Sequence, residues 1–392
     1  MKPELMAPVS DWPSLTAAVE AGADSVYCGL KELNMRATAR NFERTQLPKV
    51  VEFCHSRSVK VYLTLNTIIY EKEIPIIKEI LDMVRVDAII CWDMAVITEA
   101  RKRGIPVILS TQASVSNSTA CNAYKELGVK RVVLARECTL EQISSIRKET
   151  DLELEVFAHG AMCVSVSGRC FLSQFLFNRS ANRGDCLQPC RRAYIVKDPE
   201  EGHELSVSNH YIFSPQDLCI LPFIDEVIET GIDCLKIEGR ARSPEYVKTV
   251  TSAYRKAIDA FHDNTLTTEL KDSLVEECRT VFNRGFSPGF FFGRPADWTT
   301  TYGSQATTRK VYLGEVKKYY QKIGVAEFTL ETNPLQLGER IMFQGKTTGV
   351  KEQTVESLQK NHKPVEKAEK GERIALRTDF TVRPRDKVFL IN

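Results

Sequence analysis

ELMAPVSDWPSLTAAVEAGADSVYCGL, residues 4–30, decides the fold class. A short apolar run (ELMAP, 4–8) leads into an amphipathic segment, DWPSLTAAVEAGA, and a second apolar run follows (SVYCGL, 25–30). Asp and Pro at the start and Gly at the end are the punctuation of a capped helix. Strand, helix, strand within this length is a βαβ unit, the connection that joins parallel strands.

The same alternation continues outward through KVYLTLN (60–66), AIICWD (88–93), PVILSTQ (106–112), RVVLAR (131–136), LEVFAHG (154–160) and CLKIEGR (234–240). Amphipathic stretches such as IPIIKEILDMVR and TLEQISSIRKET separate them. Near-continuous apolar strands alternating with helices form a parallel sheet covered on both faces. Eight such strands close a (β/α)8 TIM-like barrel, the α/β fold expected here over residues 1–260. An open doubly wound sheet is the alternative.

The first seven strands start 18–35 residues apart, yet 80 residues separate the starts of the seventh and eighth. That gap predicts a cysteine-rich insertion, residues 161–230, projecting from the C-terminal rim where barrel active sites are built. Residues 261–308 read as a helical and aromatic extension, GFSPGFFFGRPADW included, with a linker over 294–309. From Arg309 to Asn392 short strands and turns (KVYLGEVKKYY, IGVAEFTLE, ERIMFQG, ERIALRTD, DKVFLIN) predict a small closed all-β barrel.

Composition sets the context. Of 392 residues 43% are apolar and 27% charged, ordinary for a globular protein. No apolar run approaches the roughly 18 residues of a membrane-spanning helix. MKPELMAPVSDW lacks the apolar core of a signal peptide, so a cytoplasmic location is expected, with no membrane partner. In a reducing compartment the twelve cysteines serve metal, redox or packing roles rather than disulfides. The net charge of +2 divides unevenly, because residues 309–392 carry 17 Lys and Arg against 11 Asp and Glu. A basic module on a mildly acidic body suits a polyanion such as RNA, or is simply a solvated basic surface.

Four cysteines cluster: Cys163, Cys170, Cys186 and Cys190, separated by 6, 15 and 3 residues. Structural zinc sites favour two close pairs, and here only the second pair is close. A [4Fe-4S] cluster takes four thiolates at more varied spacing. Iron–sulfur, zinc and unligated thiols all stay open on the residues alone. Arg169, Arg179, Arg183, Arg191, Arg192 and Lys197 surround the cluster against one acid, Asp185. Such groups attract an anionic substrate, and Arg169 is counted among the substrate-binding candidates. His159 precedes Cys163 by four residues, so a cysteine-peptidase pair is weighed too. No HExxH or GxSxG pattern supports hydrolysis. Cys28, Cys54, Cys91, Cys121, Cys138, Cys219, Cys234 and Cys278 lie on apolar stretches and read as small buried hydrophobes.

EVFAHGAMCVSVSGRCFLS (155–173) resembles the signature of the peptidase U32 family, historically the collagenase-like proteases. NMRATARNF (34–42), ANRGDC (181–186), SPQDL (214–218) and LKIEGRARSPEYV (235–247) match further blocks, so the resemblance covers residues 1–295. It implies an oxygen-independent hydroxylase more than a protease. Family members hydroxylate the tRNA wobble uridine, an rRNA cytidine or the ubiquinone ring, using iron–sulfur clusters and prephenate as oxygen source. The family's ligands fall on Cys163, Cys170, Cys186 and Cys190, and CLQPCRRAY looks like the tRNA-hydroxylating branch. Residues 311–392 are similar to the second-domain β-barrel of translation factors such as elongation factor Tu, through LQLGERIMFQGKTTG and RPRDKVFL. Such a barrel could grip tRNA phosphates or merely stabilise or dimerise the protein.

These readings converge on a barrel mouth that takes a flipped-out uridine and prephenate beside the cluster, yielding 5-hydroxyuridine. The cluster would relay electrons, with an electron-transfer partner, or act as a Lewis acid. Asn66, Asp93, Gln112, Arg136 and Arg240 at strand ends are the expected lining, and Arg36 and Arg40 are suited to carboxylates or phosphate. His159 and Glu238 are the candidates for proton transfer. His55, His262 and His362 read as surface or core. Phe290, Phe291, Phe292 and Trp298 could stack on bases or pack a domain junction.

Overall fold

A computed structural model describes residues 2–202, 204–205, 213–293, 298–299 and 301–392. Parts of the expected insertion (203, 206–212) and linker (294–297, 300) lie outside the described residues. The eight expected strands form: β1 (Glu4–Pro8), β2 (Ser25–Gly29), β3 (Lys60–Thr64), β4 (Ala88–Cys91), β5 (Val107–Leu109), β6 (Val129–Val133), β7 (Glu153–Gly160) and β8 (Cys234–Ile237). Each pairs in parallel with the next, and β8 pairs with both β7 and β1, so the barrel is closed. The open doubly wound alternative is thereby excluded.

Local chemistry explains the intervening helices. Asp11 caps α1 (Trp12–Glu20) in a reciprocal capping box with Ser14, and Pro occupies its first turn. Then come α2 (Leu47–His55), α3 (Ile74–Met83), α4 (Met94–Lys102), α5 (Ser118–Glu126) and α6 (Leu140–Glu149) around the outside. Val26, Leu63, Ile89, Leu109 and Leu154 face these helices in one buried core. The alternate residues Met6, Tyr27, Tyr62, Ile90, Ile108 and Val133 fill the barrel interior. Below that layer a buried ionic group closes the far end. Arg131 binds Glu4 at 3.0 Å and Glu155 at 3.5 Å, and Lys236 binds Glu155 at 2.9 Å. Charges so deep are tolerable only because each has a partner.

Between β7 and β8 the insertion holds α7 (Leu172–Phe177) and returns through a short strand, Asp217–Cys219. That strand runs antiparallel to the end of β7, pairing Leu218 with Gly160 and Cys219 with His159, and so clamps the excursion over the barrel mouth. After it come α8 (Ile224–Glu229), α9 (Pro244–His262) and α10 (Thr268–Arg279), whose Leu274 and Cys278 join the same core as the barrel helices.

The C-terminal region is antiparallel: β9 (Lys310–Tyr320), β10 (Val325–Thr329), β11 (Arg340–Gly345), β12 (Gly349–Thr354), β13 (Arg373–Arg377) and β14 (Lys387–Ile391). They lie in the order β12-β11-β14-β9-β10-β13 around Leu313, Phe328, Ile341, Phe343, Leu376 and Val388. Among the described residues this ladder has two ends, so the expected closure is not completed by strand pairing. The sheet docks on α1 and α9. Ala17 packs against Met342 and Val350, the Thr16 hydroxyl donates to the Lys346 carbonyl at 2.8 Å, and Lys351–Glu20 and Lys310–Glu245 pair at 2.8 and 2.7 Å. No helix of the described residues is long and apolar enough to cross a membrane.

Candidate active site

Several strands end short of their apolar runs. The residues just beyond them (Asn66, Ser110, Gln112, Arg136, Glu238 and Arg240) bend inward and line a pocket of about 150 Å³ at the C-terminal mouth. Tyr27, Ile90, Phe157 and Lys236 make its floor. The cysteine-bearing excursion supplies the opposite wall with Cys163, Cys170, Cys186, Cys190 and Arg191, joined by Arg284 from beyond α10.

Charge is the pocket's main feature. Arg36, Arg136, Arg191, Lys236, Arg240 and Arg284 line it against one carboxylate, Glu238. Glu238 Oε1 receives Arg36 Nη2 at 3.1 Å. Burial would raise its carboxyl, but Arg36, Arg242 and Arg136 outweigh that and hold it at about 2. A carboxylate so acidic is a poor proton acceptor and a good anchor for Arg36. Lys236 is held from below by Glu155, and Arg284 by Asp217 at 3.3 Å.

Three guanidinium groups have only neutral partners among the described residues. Arg136 donates to the Ala161 carbonyl at 2.7 Å and lies over the Phe157 ring at 3.8 Å. Arg240 donates to Thr64 Oγ1 at 2.8 Å and Asn34 Oδ1 at 3.2 Å, and burial lowers it to about 10. Arg191 donates to Ser214 Oγ at 2.9 Å and to the carbonyls of Met162 and Pro215. Six cations lining the pocket against one carboxylate leave it short of negative charge, and a carboxylate is the group that guanidinium forks bind best.

The four clustered thiols differ from the other eight. Cys28, Cys54, Cys91, Cys121, Cys138, Cys219, Cys234 and Cys278 are all buried, whereas Cys163 is exposed and Cys170, Cys186 and Cys190 are half-buried. Cys190 lies within electrostatic reach of the other three. Backbone amides point at the sulfurs, Ser165 N–H to Cys163 Sγ at 3.5 Å and Leu172 N–H to Cys170 Sγ at 3.3 Å. Burial raises Cys186 and pushes Cys190 up to about 11, so a metal would have to displace their protons on binding. Among the described residues no three His, Cys, Asp or Glu side chains are gathered closely enough to hold one metal ion. Four thiols on one wall, with amides aimed at two of them, are the donor type of a [4Fe-4S] cluster and of a thiolate zinc site alike.

Not every expected residue reaches the pocket. Asn66, accepting Met35 N–H at 3.1 Å, and Gln112, accepting the Ser110 hydroxyl, are in its lining. His159 is 1% exposed and is not, because it sits outside the strand wall against Tyr246, Tyr254 and Phe286. Burial there, with Arg242 nearby, lowers it to about 3 and keeps it neutral. Asp93 caps α4, accepting Ala95 N–H at 2.9 Å. Arg40 is 72% exposed and pairs with Asp11 at 2.7 Å. Arg169 bonds Ser114 Oγ at 3.0 Å beside the pocket. His55 pairs with Asp87 at the surface, and Phe291 and Phe292 pack on Phe223. Reading the strands as uniform apolar runs missed Tyr27 and Lys236, and Arg284 beyond α10 was missed as well, whereas Arg191 had been counted only among the cations around the cysteines. For Lys236 a signal existed, since Cys234, Lys236 and Glu238 alternate with Leu235 and Ile237 and so point into the barrel.

The family model of peptidase family U32 matches residues 10–301. A Porphyromonas gingivalis protein named collagenase is 44% identical over 402 aligned positions, covering 98% of this chain and 97% of its own length. The tRNA hydroxylation protein P1 of Bacillus subtilis is 35% identical over 354 positions, covering 88% of this chain and 84% of its own. The 23S rRNA 5-hydroxycytidine C2501 synthase of Escherichia coli is 32% identical over 374 positions, covering 91% of this chain and 55% of its own.

Proposed function

The chain belongs to peptidase family U32, and from that membership and the chemistry of its pocket we propose that it is an iron–sulfur-dependent RNA hydroxylase working without O2. Its substrate on this reading is the wobble uridine of tRNA, converted to 5-hydroxyuridine with prephenate as oxygen source. The observation that carries the reading is one pocket that brings four thiols on one wall together with six cations and a single carboxylate.

Cys163, Cys170, Cys186 and Cys190 would hold a [4Fe-4S] cluster, which supplies one-electron transfer or an electrophilic iron. A cytoplasmic electron donor would reach it at the exposed Cys163 side. Arg136, Arg191 and Arg240 bind the carboxylates of prephenate. Glu238 keeps Arg36 turned into the pocket as a further anion contact. Tyr27 and Phe157 give the floor an apolar face for a ring. The base arrives extruded from its stack, which an anticodon loop allows at little cost. Relatives named as tRNA and rRNA hydroxylation proteins support RNA as the substrate class.

Relatives named collagenase motivate a second reading as a peptidase. Against it, His159 is buried away from the thiols and cannot form a Cys–His nucleophile with Cys163. Mass spectrometry of tRNA nucleosides from a deletion strain, complemented with wild type or Cys170→Ala, tests the proposal. 5-Hydroxyuridine derivatives should return with wild type only; their indifference to the gene would remove the substrate. Anaerobic purification with iron and sulfide analysis tests the cofactor, and a colourless protein holding only zinc would overturn it.

A further inference from the structure

The outer side of α7 is unlike the rest of the surface. Phe171 is 65% exposed and Phe175 85%, and Leu176 beside them is more than half exposed. Soluble proteins rarely leave neighbouring large apolar side chains in water unless something covers them. The two rings stand edge to face with centroids 6.5 Å apart, which leaves a ring face of each free.

This face belongs to the pocket mouth. Leu172 and Ser173 of the same six-residue helix line the pocket, and the Ser173 hydroxyl accepts Leu187 N–H at 3.0 Å, fixing the helix against the loop that carries Cys186. Exposed cations adjoin this segment, Arg169 two residues before Phe171 and Arg192 beside the last residue of α7. Arg169 bonds only the Ser114 hydroxyl and lies near the Trp92 ring, and Arg192 lies over the Phe177 ring at 5.0 Å. Neither has a carboxylate partner among the described residues. Exposed aromatic rings with guanidinium groups nearby are the surface that unpaired nucleobases and their phosphates bind. A pocket of about 150 Å³ is too small for a stretch of RNA loop, so the neighbours of an extruded base would be left outside at this rim.

We propose that the outer face of α7, Phe171 and Phe175 foremost, is a stacking platform for the loop bases adjoining the one that enters the pocket. This rests on the RNA reading above. The test uses full-length protein and a labelled RNA hairpin with uridine in its loop, alongside a blunt duplex of the same length. Phe171→Leu/Phe175→Leu keeps the surface apolar but removes both rings. It should weaken hairpin binding by about tenfold or more, the loss expected for an unstacked base, while Phe175→Trp retains binding and iron content stays at the wild-type level in both. Hairpin binding unchanged in the double leucine variant overturns the platform while leaving the RNA reading intact. Equal wild-type affinity for hairpin and duplex also overturns it. A wild type that binds no RNA sinks both. A wild-type dimer that Phe175→Asp converts to monomer overturns the platform as well, because a second copy would then cover this face.

Discussion

Glu238 and His159 were both candidates for moving a proton, and the barrel wall separates their fates. Glu238 faces inward among arginines and is held at about 2, against an ordinary 4.5. Because its folded value is depressed, the stability it contributes is present above about 4.5 and lost as pH falls from there towards 2. Glu238→Gln should cost about 2–3 kcal/mol at pH 7, a gap from wild type that narrows below pH 4.5 in urea titrations. His159 faces outward, buried and neutral at about 3 against an ordinary 6.5. The unfolded chain takes up a proton there below 6.5 and the folded one does not, so this residue lowers stability as pH falls from 6.5 towards 3. His159→Phe should therefore flatten the acid side of the stability profile, by up to about 1.4 kcal/mol per pH unit. Nucleoside analysis of cells carrying it should still find the hydroxylated product. Loss of that product in a stably folded His159→Phe protein would restore the histidine to the chemistry.

At the scale of elements, the cysteine excursion and the loop carrying Arg36 are pressed together. Gly184 has φ +91°, and a methyl there would overlap the Asn34 carbonyl oxygen and meet Ala37 Cβ at 3.1 Å. Gly184→Ala should cost about 2 kcal/mol or more through strain and overlap, and shift Cys186 enough to lower iron retention in anaerobic preparations. This element shows how much could be read beforehand. The alternation of apolar runs and capped helices placed all eight strands, because burial on both faces writes a strand as one apolar word. The same uniformity blurred their C-terminal limits. PVILSTQ ends as a strand at Leu109 and RVVLAR at Val133, since hydrogen bonding stops where the polar residues turn into the pocket. The four cysteines were legible from spacing, their separation from the other eight included. Arg191 was legible as a cation beside the cysteines, but its place in the lining and that of Arg284 were not, because their approach depends on how the excursion folds back along Asp217–Cys219, a tertiary contact without a local pattern.

At the scale of the whole molecule, the β-region is fastened to the barrel's outer helices, away from the pocket lining, through Ala17, Met342 and Val350, the exposed Lys351–Glu20 pair and the half-buried Lys310–Glu245 pair. Apolar burial supplies most of that attachment, since exposed pairs add roughly 0–1 kcal/mol each. Ala17→Asp would place a charge in the seam and should split one calorimetric transition into two. Raising salt should barely move the wild-type transition. The distribution of thiols over the molecule also has a practical outcome. Eight are sealed in the interior, and the four within reach of solvent all belong to one wall. A maleimide applied to native protein would therefore label at most four positions and, wherever a cluster occupied that wall, fewer. Counting adducts by intact mass becomes a gauge of loading that needs no colour, no activity and no knowledge of the substrate.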